Sequence, residues 1–375
     1  MELLMTETVP PPKSRWLDIY QCPDCGGALA KNPDKWECAG CHAQYPVRAG
    51  VPLLNPGVSR SPGFVGVMKR DHDQPDTFIH DAEKRGWEAA LRSIQMPGEP
   101  DRLIEAVAPN RISWRHVAGL EPSSLVIDIG TGTGGVACQL AAGCSVVAVD
   151  RSFIDAAFVA VRASQSGLHS LDSIVADGSR LPISTGVADL VTLIGVLEWV
   201  PTDFPDRDPR ESQLDALREA RRVLKPTGRL YLAIENRAYF GYYLGAPEPH
   251  ARLRYVSLMD REAADRYSRE TRGQPFLELT HSLPEYRSLL AEAGFQRVDS
   301  YWLYPDYRLT HAVVPVDEAG IARWYTDQHL DPRRHRRPFE QSLYSFFRFS
   351  PPDFMAHSVR DYGFVACAAS PEQHA

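Results

Sequence analysis

The segment from Leu125 to Gly135, LVIDIGTGTGG, constrains the fold more than any other part of this chain. It opens with a short apolar run that predicts a buried strand, and closely spaced glycines follow that run. Glycine suits this position because the backbone must turn sharply and let a ligand approach it closely. The segment therefore predicts a strand, a tight turn and the start of a helix, arranged to bind a nucleotide-like ligand.

The sequence after this point alternates between apolar runs and amphipathic helical patterns. A helix is predicted over residues 284–293, and most of the connections are short. Alternating strands and helices favour a doubly wound α/β fold with a mostly parallel sheet. The predicted strands are 125–129, 145–149, 173–176, 190–196, 229–234, 295–303 and 362–369.

Acidic residues beside the glycines favour one cofactor over another. The glycines also satisfy the G-x-G-x-x-G pattern of NAD-binding proteins, so the neighbouring residues must decide. Asp128 would repel a pyrophosphate, but it suits the ammonium group of a methionine moiety. Asp150 is placed to bind ribose hydroxyls, which both cofactors carry, and Asp177 is placed to bind an adenine amino group. The predicted S-adenosylmethionine contacts are Asp128, Gly130, Gly132, Gly134, Asp150, Asp177 and Gly178.

Residues 120–240 resemble class I S-adenosylmethionine-dependent methyltransferases. The motifs occur in order as D-x-G-x-G-x-G from Asp128, the acid Asp150, A-D-G ending at Gly178, L-E-W-V and R-E-A-R-R-V-L-K-P-T-G. Members of the family often carry His where Trp199 stands, a difference that changes the floor of the substrate pocket. The resemblance implies a Rossmann-like sheet of seven strands with an antiparallel last strand, which suits the run at 362–369.

Four of the seven cysteines form two C-x-x-C pairs near the N-terminus, Cys22 with Cys25 and Cys38 with Cys41. Four thiolates at this spacing predict a closed, structural zinc site, although His42 could replace Cys41. Four packed, reduced cysteines are the alternative. With the motif Y-P-V-x-x-G-V-P, the segment resembles zinc-ribbon modules that are fused to methyltransferases or act as their partner subunits. We expect a structural zinc, remote from methyl transfer, in a ribbon that could also dock a protein.

The length of 375 residues allows two or three domains. We expect a flexible N-terminus at 1–15, a zinc ribbon at 16–56, a linker and helical preface at 57–118, and a methyltransferase domain at 119–375. Helices are predicted near 79–94, 103–107 and 112–117. Irregular, substrate-covering insertions are expected at about 237–282 and 306–352.

Composition and charge bear on partners and location. The net charge of −7 argues against strong, sequence-independent binding of nucleic acid. No apolar run approaches the roughly 20 residues of a membrane span, and the first residues lack a signal-peptide core. We therefore expect a cytoplasmic protein with reduced thiols. The dense basic run at 333–337 could grip a phosphate or RNA, or could be a solvated loop.

Catalytic candidates come from residues that follow the fourth and fifth strands of the methyltransferase region. Methyl transfer from a sulfonium is an in-line displacement that needs positioning and, for a hydroxyl acceptor, a base. His250 is the first candidate base, and Glu198 and Glu235 are the second. Alternatively, His250 is an exposed loop residue and Glu235 pairs with Arg237. Residues 304–308 could line the same cleft.

Three functions remain open at this stage. The segment I-E-N-R…G-Y-Y-L-G-A-P-E-P-H resembles bacterial methyltransferases associated with surface-polysaccharide or secondary-metabolite synthesis, which implies a small-molecule or glycan acceptor. A zinc module before a class I domain also resembles ribosomal RNA guanine methyltransferases. The third hypothesis is an adaptor that binds the cofactor without transferring a methyl group.

Overall fold

The computed structural model describes residues 18–55, 75–94, 101–318, 320–321, 324 and 350–368. Two regions singled out in the sequence, the N-terminal segment 1–15 and the basic run 333–337, lie outside these residues. Most of the linker at 57–74 and most of the insertion expected at 306–352 also lie outside them.

The N-terminal part is a small antiparallel ribbon. Its strands are β1 (Leu29–Lys31), β2 (Lys35–Cys38), β3 (Gln44–Arg48) and β4 (Val51–Pro52), and they pair in sequence order. Cys22 and Cys25 lie in the turn before β1, and Cys38 ends β2. The strand pairing thus brings the two C-x-x-C segments to the same end of the ribbon.

Short helices connect the ribbon to the main sheet. They are α1 (Pro75–Arg85), α2 (Trp87–Ser93), α3 (Arg102–Val107) and a 3₁₀ helix (Pro109–His116). They occupy the positions where the sequence predicts helices. Their buried side chains pack on the main domain, where the ring of Phe78 lies 5.4 Å from that of Phe158.

The main domain alternates strands and helices, as the sequence predicts. The connection from the helical preface leads into the first strand of this domain, and the glycine turn follows that strand. In chain order, its elements are β5 (Leu125–Ile129), α4 (Ala137–Leu140), β6 (Ser145–Asp150), α5 (Phe153–Gln165), β7 (Leu171–Val175), β8 (Ala188–Ile194), a 3₁₀ helix (Leu197–Asp203), α6 (Pro209–Val223), β9 (Leu224–Glu235), α7 (Phe240–Tyr243), a 3₁₀ helix (Val256–Leu258), α8 (Arg261–Arg272), α9 (Leu283–Glu292), β10 (Arg297–Tyr304), β11 (Ala312–Pro315), α10 (Pro352–Ser358) and β12 (Asp361–Cys367).

The large sheet has the order β11-β10-β12-β9-β8-β5-β6-β7. Strands β5 to β9 are parallel, and β12 runs antiparallel to both of its neighbours. The Rossmann-like α/β fold and its antiparallel last strand are therefore confirmed. The described sheet has eight strands rather than the expected seven, because β11 pairs with the edge of β10 inside the insertion that was expected to cover substrate.

The sheet is buried on both faces. In β5, Ile127 and Ile129 contribute to one hydrophobic cluster, and Val126 points into a cluster on the opposite face. Two-sided burial accounts for the nearly continuous apolar runs of the parallel strands. The carboxyl ends of those strands meet at one edge, where loops can hold a ligand.

The segment 237–282 is more regular than predicted. It contains α8, a twelve-residue helix, in addition to α7 and a 3₁₀ turn. Asp260 caps the first turn of α8 by accepting a hydrogen bond from the amide of Ala263, and Gly273 ends the helix in a left-handed conformation. No helix in the described ranges is both long and apolar enough to cross a membrane.

The ribbon packs directly on the outer parallel strand of the large sheet. The amide of Leu54 donates to the carbonyl of Val175 at 2.9 Å, and the amide of Gln21 donates to Pro182 at 3.0 Å. Tyr20 and Trp36 belong to the same hydrophobic cluster as the sheet residues around them. The ribbon and the main sheet thus share a core.

Candidate active site

The glycine turn after β5 has the backbone shape that its sequence predicts. Gly130, Gly132 and Gly134 have φ angles of 70°, 52° and 72°, in the left-handed region. A Cβ on Gly130 would lie 2.4 Å from a methyl of Val196, and one on Gly134 would lie 2.9 Å from the sulfur of Cys138. A Cβ on Gly132 would have no atom within 4 Å, so this glycine borders open space that a ligand could occupy.

Asp128 carries an unsatisfied acceptor beside this turn. The residue is buried, and its Oδ1 accepts a 2.6 Å hydrogen bond from the hydroxyl of Thr192. Its Oδ2 has no hydrogen-bond partner in the described part of the chain. Burial raises the pKa of this carboxyl group, while the hydrogen bond from Thr192 lowers it. A ligand ammonium group would satisfy the unpaired oxygen.

The other two acids stabilise the neighbouring loops. Asp150 accepts the amide of Gly132 at 3.0 Å and the amide of Ser152 at 2.9 Å, which fixes the glycine turn against the end of β6. Asp177 accepts both the amide and the hydroxyl of Ser179 at 2.8 Å. These acids follow β6 and β7, so the cofactor residues expected from the sequence lie along adjacent strand ends.

The three catalytic candidates come together in one buried cluster. Glu198 lies in the 3₁₀ helix after β8, Glu235 ends β9, and His250 lies in the loop after α7. The imidazole Nε2 is 3.6 Å from Glu198 Oε1 and 3.7 Å from Glu235 Oε1, and all three side chains are at most 5% exposed. The alternative that His250 is an exposed loop residue is therefore wrong.

The alternative pairing of Glu235 with Arg237 is also wrong. The guanidinium of Arg237 lies 3.6 Å from Glu285 Oε1 and donates to the carbonyl of Ser257. Glu235 instead accepts a 3.1 Å hydrogen bond from the hydroxyl of Tyr307. Tyr307 therefore lines this cleft, as expected of residues 304–308.

Glu248 orients the imidazole from its other side. One of its oxygens lies 2.5 Å from His250 Nδ1, and the other accepts the amides of His250 and Ala251. These contacts direct Nε2 toward Glu198 and Glu235. The indole of Trp199 packs edge-on against the imidazole, with the ring centroids 4.8 Å apart.

Glu248 was not predicted as a site residue, although its spacing of two from His250 is a usable signal. Asp361 was missed as well. It begins β12, is fully buried and accepts the amide of Tyr307. Its role depends on the pairing of distant strands, which leaves no local pattern in the sequence.

Burial and the charges of neighbouring side chains shift the pKa values of Glu198 and His250. Burial and the charge of Glu235 raise the pKa of Glu198 to about 7. Burial opposes protonation of His250, but Glu198, Glu248 and Glu235 outweigh it and raise the pKa of the imidazole to about 11. These shifts favour the cationic form of the imidazole and the protonated form of Glu198.

The four N-terminal cysteines also converge. The sulfurs of Cys22 and Cys41 are 3.6 Å apart and those of Cys25 and Cys38 are 3.4 Å apart, whereas a disulfide would hold them at about 2.05 Å. All four sulfurs lie within 4.8 Å of one another, and His42 is not part of the cluster. The amides of Cys41 and Gly40 donate to the Cys38 sulfur and lower its pKa to about 6. This donor set fits a tetrahedral, thiolate-bound metal.

Residues 127–232 match the family model described as "Methyltransferase domain". The chain carries a methyltransferase domain over these residues. The matched residues run from β5 through most of β9. They contain the glycine turn, the acids Asp128, Asp150 and Asp177, and Glu198. A search of curated proteins found no match to the chain.

Several solved structures are similar to this chain. One is a phosphoethanolamine N-methyltransferase from Haemonchus contortus, solved with phosphomonomethylethanolamine and S-adenosylhomocysteine. It is 15% identical with a TM-score of 0.43, over 82% of this chain and 60% of that one. The chain thus spans about three fifths of the length of that protein.

Two further similar structures differ in their printed descriptions. A putative sarcosine dimethylglycine methyltransferase from Galdieria sulphuraria is 16% identical with a TM-score of 0.40, over 69% of this chain and 84% of that one. A chain in the complex between the Haloferax volcanii Trm112 methyltransferase activator and a putative methyltransferase is 17% identical with a TM-score of 0.40. The match covers 80% of this chain and 99% of that one.

Proposed function

We propose that this protein transfers the methyl group of S-adenosylmethionine to a small-molecule or glycan acceptor. The observation that carries the proposal is the arrangement of two sites along one sheet edge. The unpaired oxygen of Asp128 and the open space at Gly132 follow β5, and the buried cluster of Glu198, Glu235 and His250 follows β8 and β9.

The cofactor contacts are part of this proposal. Asp128 would hold the ammonium group, Gly132 would let the ligand approach the backbone, and Asp150 would bind the ribose. Asp177 and Gly178 would face the adenine. A Cβ on Gly178 would lie 2.8 Å from a methyl of Ile129, so a larger residue does not fit at this position without a shift of its neighbours. When bound, S-adenosylmethionine supplies an electrophilic methyl group that is already activated by the positive sulfonium.

The acceptor side would be formed by the buried cluster. Glu198 has its pKa nearest neutrality and is the preferred base for an acceptor hydroxyl when no cation is bound. His250, as a cation beside it, would stabilise the carboxylate and orient it. A cluster with more carboxylates than cations favours a neutral or cationic acceptor over a polyanion such as RNA.

Exposed aromatic side chains support a ring-shaped or sugar-like acceptor. Trp199 is 38% exposed and contacts the His250 ring, and Tyr243 and Tyr255 in the 237–282 insertion are 59% and 48% exposed. Large aromatic faces of this kind provide contact area to flat or partly apolar ligands. We therefore infer that the insertion contributes to acceptor binding.

The proposal includes a structural zinc ion bound by Cys22, Cys25, Cys38 and Cys41. All four positions of a tetrahedral site are thiolates, so no position is left for a reacting water. The exposed surface of the ribbon could dock a protein partner. A reduced thiolate site is also typical of proteins in the cytoplasm, where we place this protein.

Calorimetry with S-adenosylhomocysteine, followed by transfer assays with labelled S-adenosylmethionine, would test the function. The acceptor panel would include nucleotide sugars, free sugars, phenolic compounds and structured RNA. Transfer to a sugar or phenol is expected. Absence of cofactor binding would refute the proposal, transfer to RNA alone would favour the RNA hypothesis, and tight binding without turnover would favour the adaptor.

A further inference from the structure

We propose that Glu198, Glu235 and His250 form a divalent-cation site at the acceptor end of the methyltransferase domain. This site is separate from the cysteine cluster. Binding of the cation follows from the cluster itself, and only its role in methyl transfer rests on the function proposed above.

The spacing of the donor atoms fits an ion between them. One ligand atom from each residue lies within 4.8 Å of the other two, and Nε2 is 3.6 Å and 3.7 Å from the two carboxylate oxygens. Ligand atoms at about 2.1 Å from a tetrahedral metal are about 3.4 Å apart. Small side-chain adjustments would therefore bring all three donors to coordination distance.

The carboxylates lack the hydrogen bonds that a purely structural cluster would have. Neither oxygen of Glu198 has a hydrogen-bond partner among the described residues, and Glu235 Oε2 also has none. A separation of 3.6 Å between Nε2 and Glu198 is too long for a hydrogen bond. Buried polar groups are normally paired, so three unpaired oxygens on the two carboxylates beside this imidazole indicate a missing ligand.

Among the described residues, His250 is the one basic side chain within ion-pair distance of these acids. No arginine or lysine there forms an ion pair with Glu198 or Glu235, although Arg308 and Arg360 lie close enough to interact electrostatically with Glu235. Arg360 contacts Asp306 at 3.5 Å and Asp361 at 3.8 Å instead. The positive charge that the cluster needs would come from a bound ion.

The groups around the cluster orient it as a metal site requires. Metal-binding histidines usually donate their second ring N–H to a carboxylate or carbonyl, which fixes the tautomer. Glu248 occupies this position at Nδ1 and is itself held by the amides of His250 and Ala251. The hydroxyl of Tyr307 similarly fixes one oxygen of Glu235.

The donor types indicate the class of metal and acceptor. One imidazole and two carboxylates suit Mn²⁺, Fe²⁺ or Zn²⁺ and leave coordination positions open. An acceptor with a hydroxyl next to a second oxygen could chelate the ion, which would lower the pKa of that hydroxyl. The acceptor oxygen then bonds to the methyl carbon as the carbon–sulfur bond breaks, and the hydroxyl proton passes to solvent.

Binding of Mn²⁺ tests the site directly, because Mn²⁺ prefers oxygen and imidazole donors over the thiolates of the ribbon. The full chain would be dialysed against EDTA and titrated with Mn²⁺ while free Mn²⁺ is measured by electron paramagnetic resonance. We expect one Mn²⁺ per chain. Glu198→Gln and Glu235→Gln should abolish this binding, and Glu248→Gln should weaken it by about 10- to 100-fold.

The exposed acid Glu285, which lies 3.6 Å from Arg237, gives a matched control. Glu285→Gln should bind Mn²⁺ like the wild type. Mn²⁺ should also raise the melting temperature of the wild type but not that of Glu198→Gln, whose cooperative melting transition would show that the variant is folded. If the wild type binds no Mn²⁺, or if Glu198→Gln binds it as tightly as the wild type, the site is refuted. Cofactor affinity, measured separately, reports on the proposed function alone.

Discussion

The backbone amide of Leu54 in the ribbon donates a 2.9 Å hydrogen bond to the carbonyl of Val175, the last residue of β7. Asp177 follows Val175 closely, and the loop after it is also tied to the ribbon. Arg180 donates to the carbonyl of Asp24, and the amide of Ser184 donates to Ile19. The ribbon therefore supports the loop that is proposed to bind adenine.

Loss of the cysteine site should consequently affect the cofactor as well as the ribbon. The sequence alone suggests that cofactor affinity survives Cys38→Ser, but the contacts between ribbon and loop change this expectation. We predict that Cys38→Ser lowers the free energy of unfolding by about 4 kcal/mol or more, as loss of a metal site does. We also predict several-fold weaker binding of S-adenosylhomocysteine by calorimetry.

Cys367→Ser is the control for this change, because Cys367 lies outside the four-cysteine cluster. It should leave both quantities unchanged. If Cys38→Ser unfolds the ribbon but retains full cofactor affinity, the ribbon does not support the Asp177 loop.

Asp128→Asn should separate cofactor binding from stability. The substitution keeps the shape of the side chain and removes a buried charge whose Oδ2 is unpaired. Loss of a charged hydrogen bond of about 1.5–3 kcal/mol predicts about 10- to 100-fold weaker binding of S-adenosylhomocysteine. Thermal unfolding of the free protein should change little, since no bond to Oδ2 is lost.

The exposed acid Glu270 in α8 provides the comparison, and Glu270→Gln should bind the cofactor normally. Equal affinity of Asp128→Asn and the wild type would mean that the ammonium group does not lie at Asp128.

Local sequence patterns account for most of the main domain. The glycine turn and the parallel strands were predictable because each is specified by neighbouring residues and by two-sided burial. The acids Asp128, Asp150 and Asp177 could be placed for the same reason, since each lies within two residues of the end of a strand. Parallel strands bring these ends to one edge without further information.

Elements that depend on distant contacts were missed. Helix α8 is strongly polar and its buried residues are the small Ala264 and Ser268, so the sequence offers few large apolar side chains to indicate it. Strand β11 exists through its pairing with β10, and the contact of Tyr307 with Glu235 depends on where that hairpin places the tyrosine. Docking of the ribbon on β7 likewise has no local signal.

Two glycine substitutions should distinguish packing from ligand approach. Gly130→Ala places a Cβ 2.4 Å from Val196 and should destabilise the domain strongly. Gly132→Ala meets no atom within 4 Å and should cost only the backbone strain of about 1–2 kcal/mol. Its main effect should be loss of cofactor affinity, because the methyl group occupies the space that the ligand needs.

Chemical denaturation and calorimetry on both variants would check this prediction. Near-wild-type cofactor affinity in Gly132→Ala would show that the ligand does not approach the backbone there.

His281 should make the protein acid-sensitive. The residue is buried, its Nε2 lies 2.7 Å from Gln213 Oε1, and the Gln213 amide nitrogen donates to the carbonyls of Leu197 and Leu279. Burial is the main cause that lowers the pKa of His281 from its ordinary value of 6.5 to about 4. The native state therefore resists protonation, while the unfolded chain takes up a proton below its own pKa.

The sign of the effect follows from this difference. The contribution of His281 to the free energy of unfolding is fully present above pH 6.5. It is lost as the pH drops from 6.5 toward 4, by at most about 3 kcal/mol. Because Leu197 precedes Glu198, the loss should loosen the end of β8. Urea unfolding between pH 4 and pH 7 would measure the slope. His281→Gln should flatten it, whereas His169→Gln, at a partly exposed histidine, should not; equal slopes in the wild type and His281→Gln would contradict the assignment.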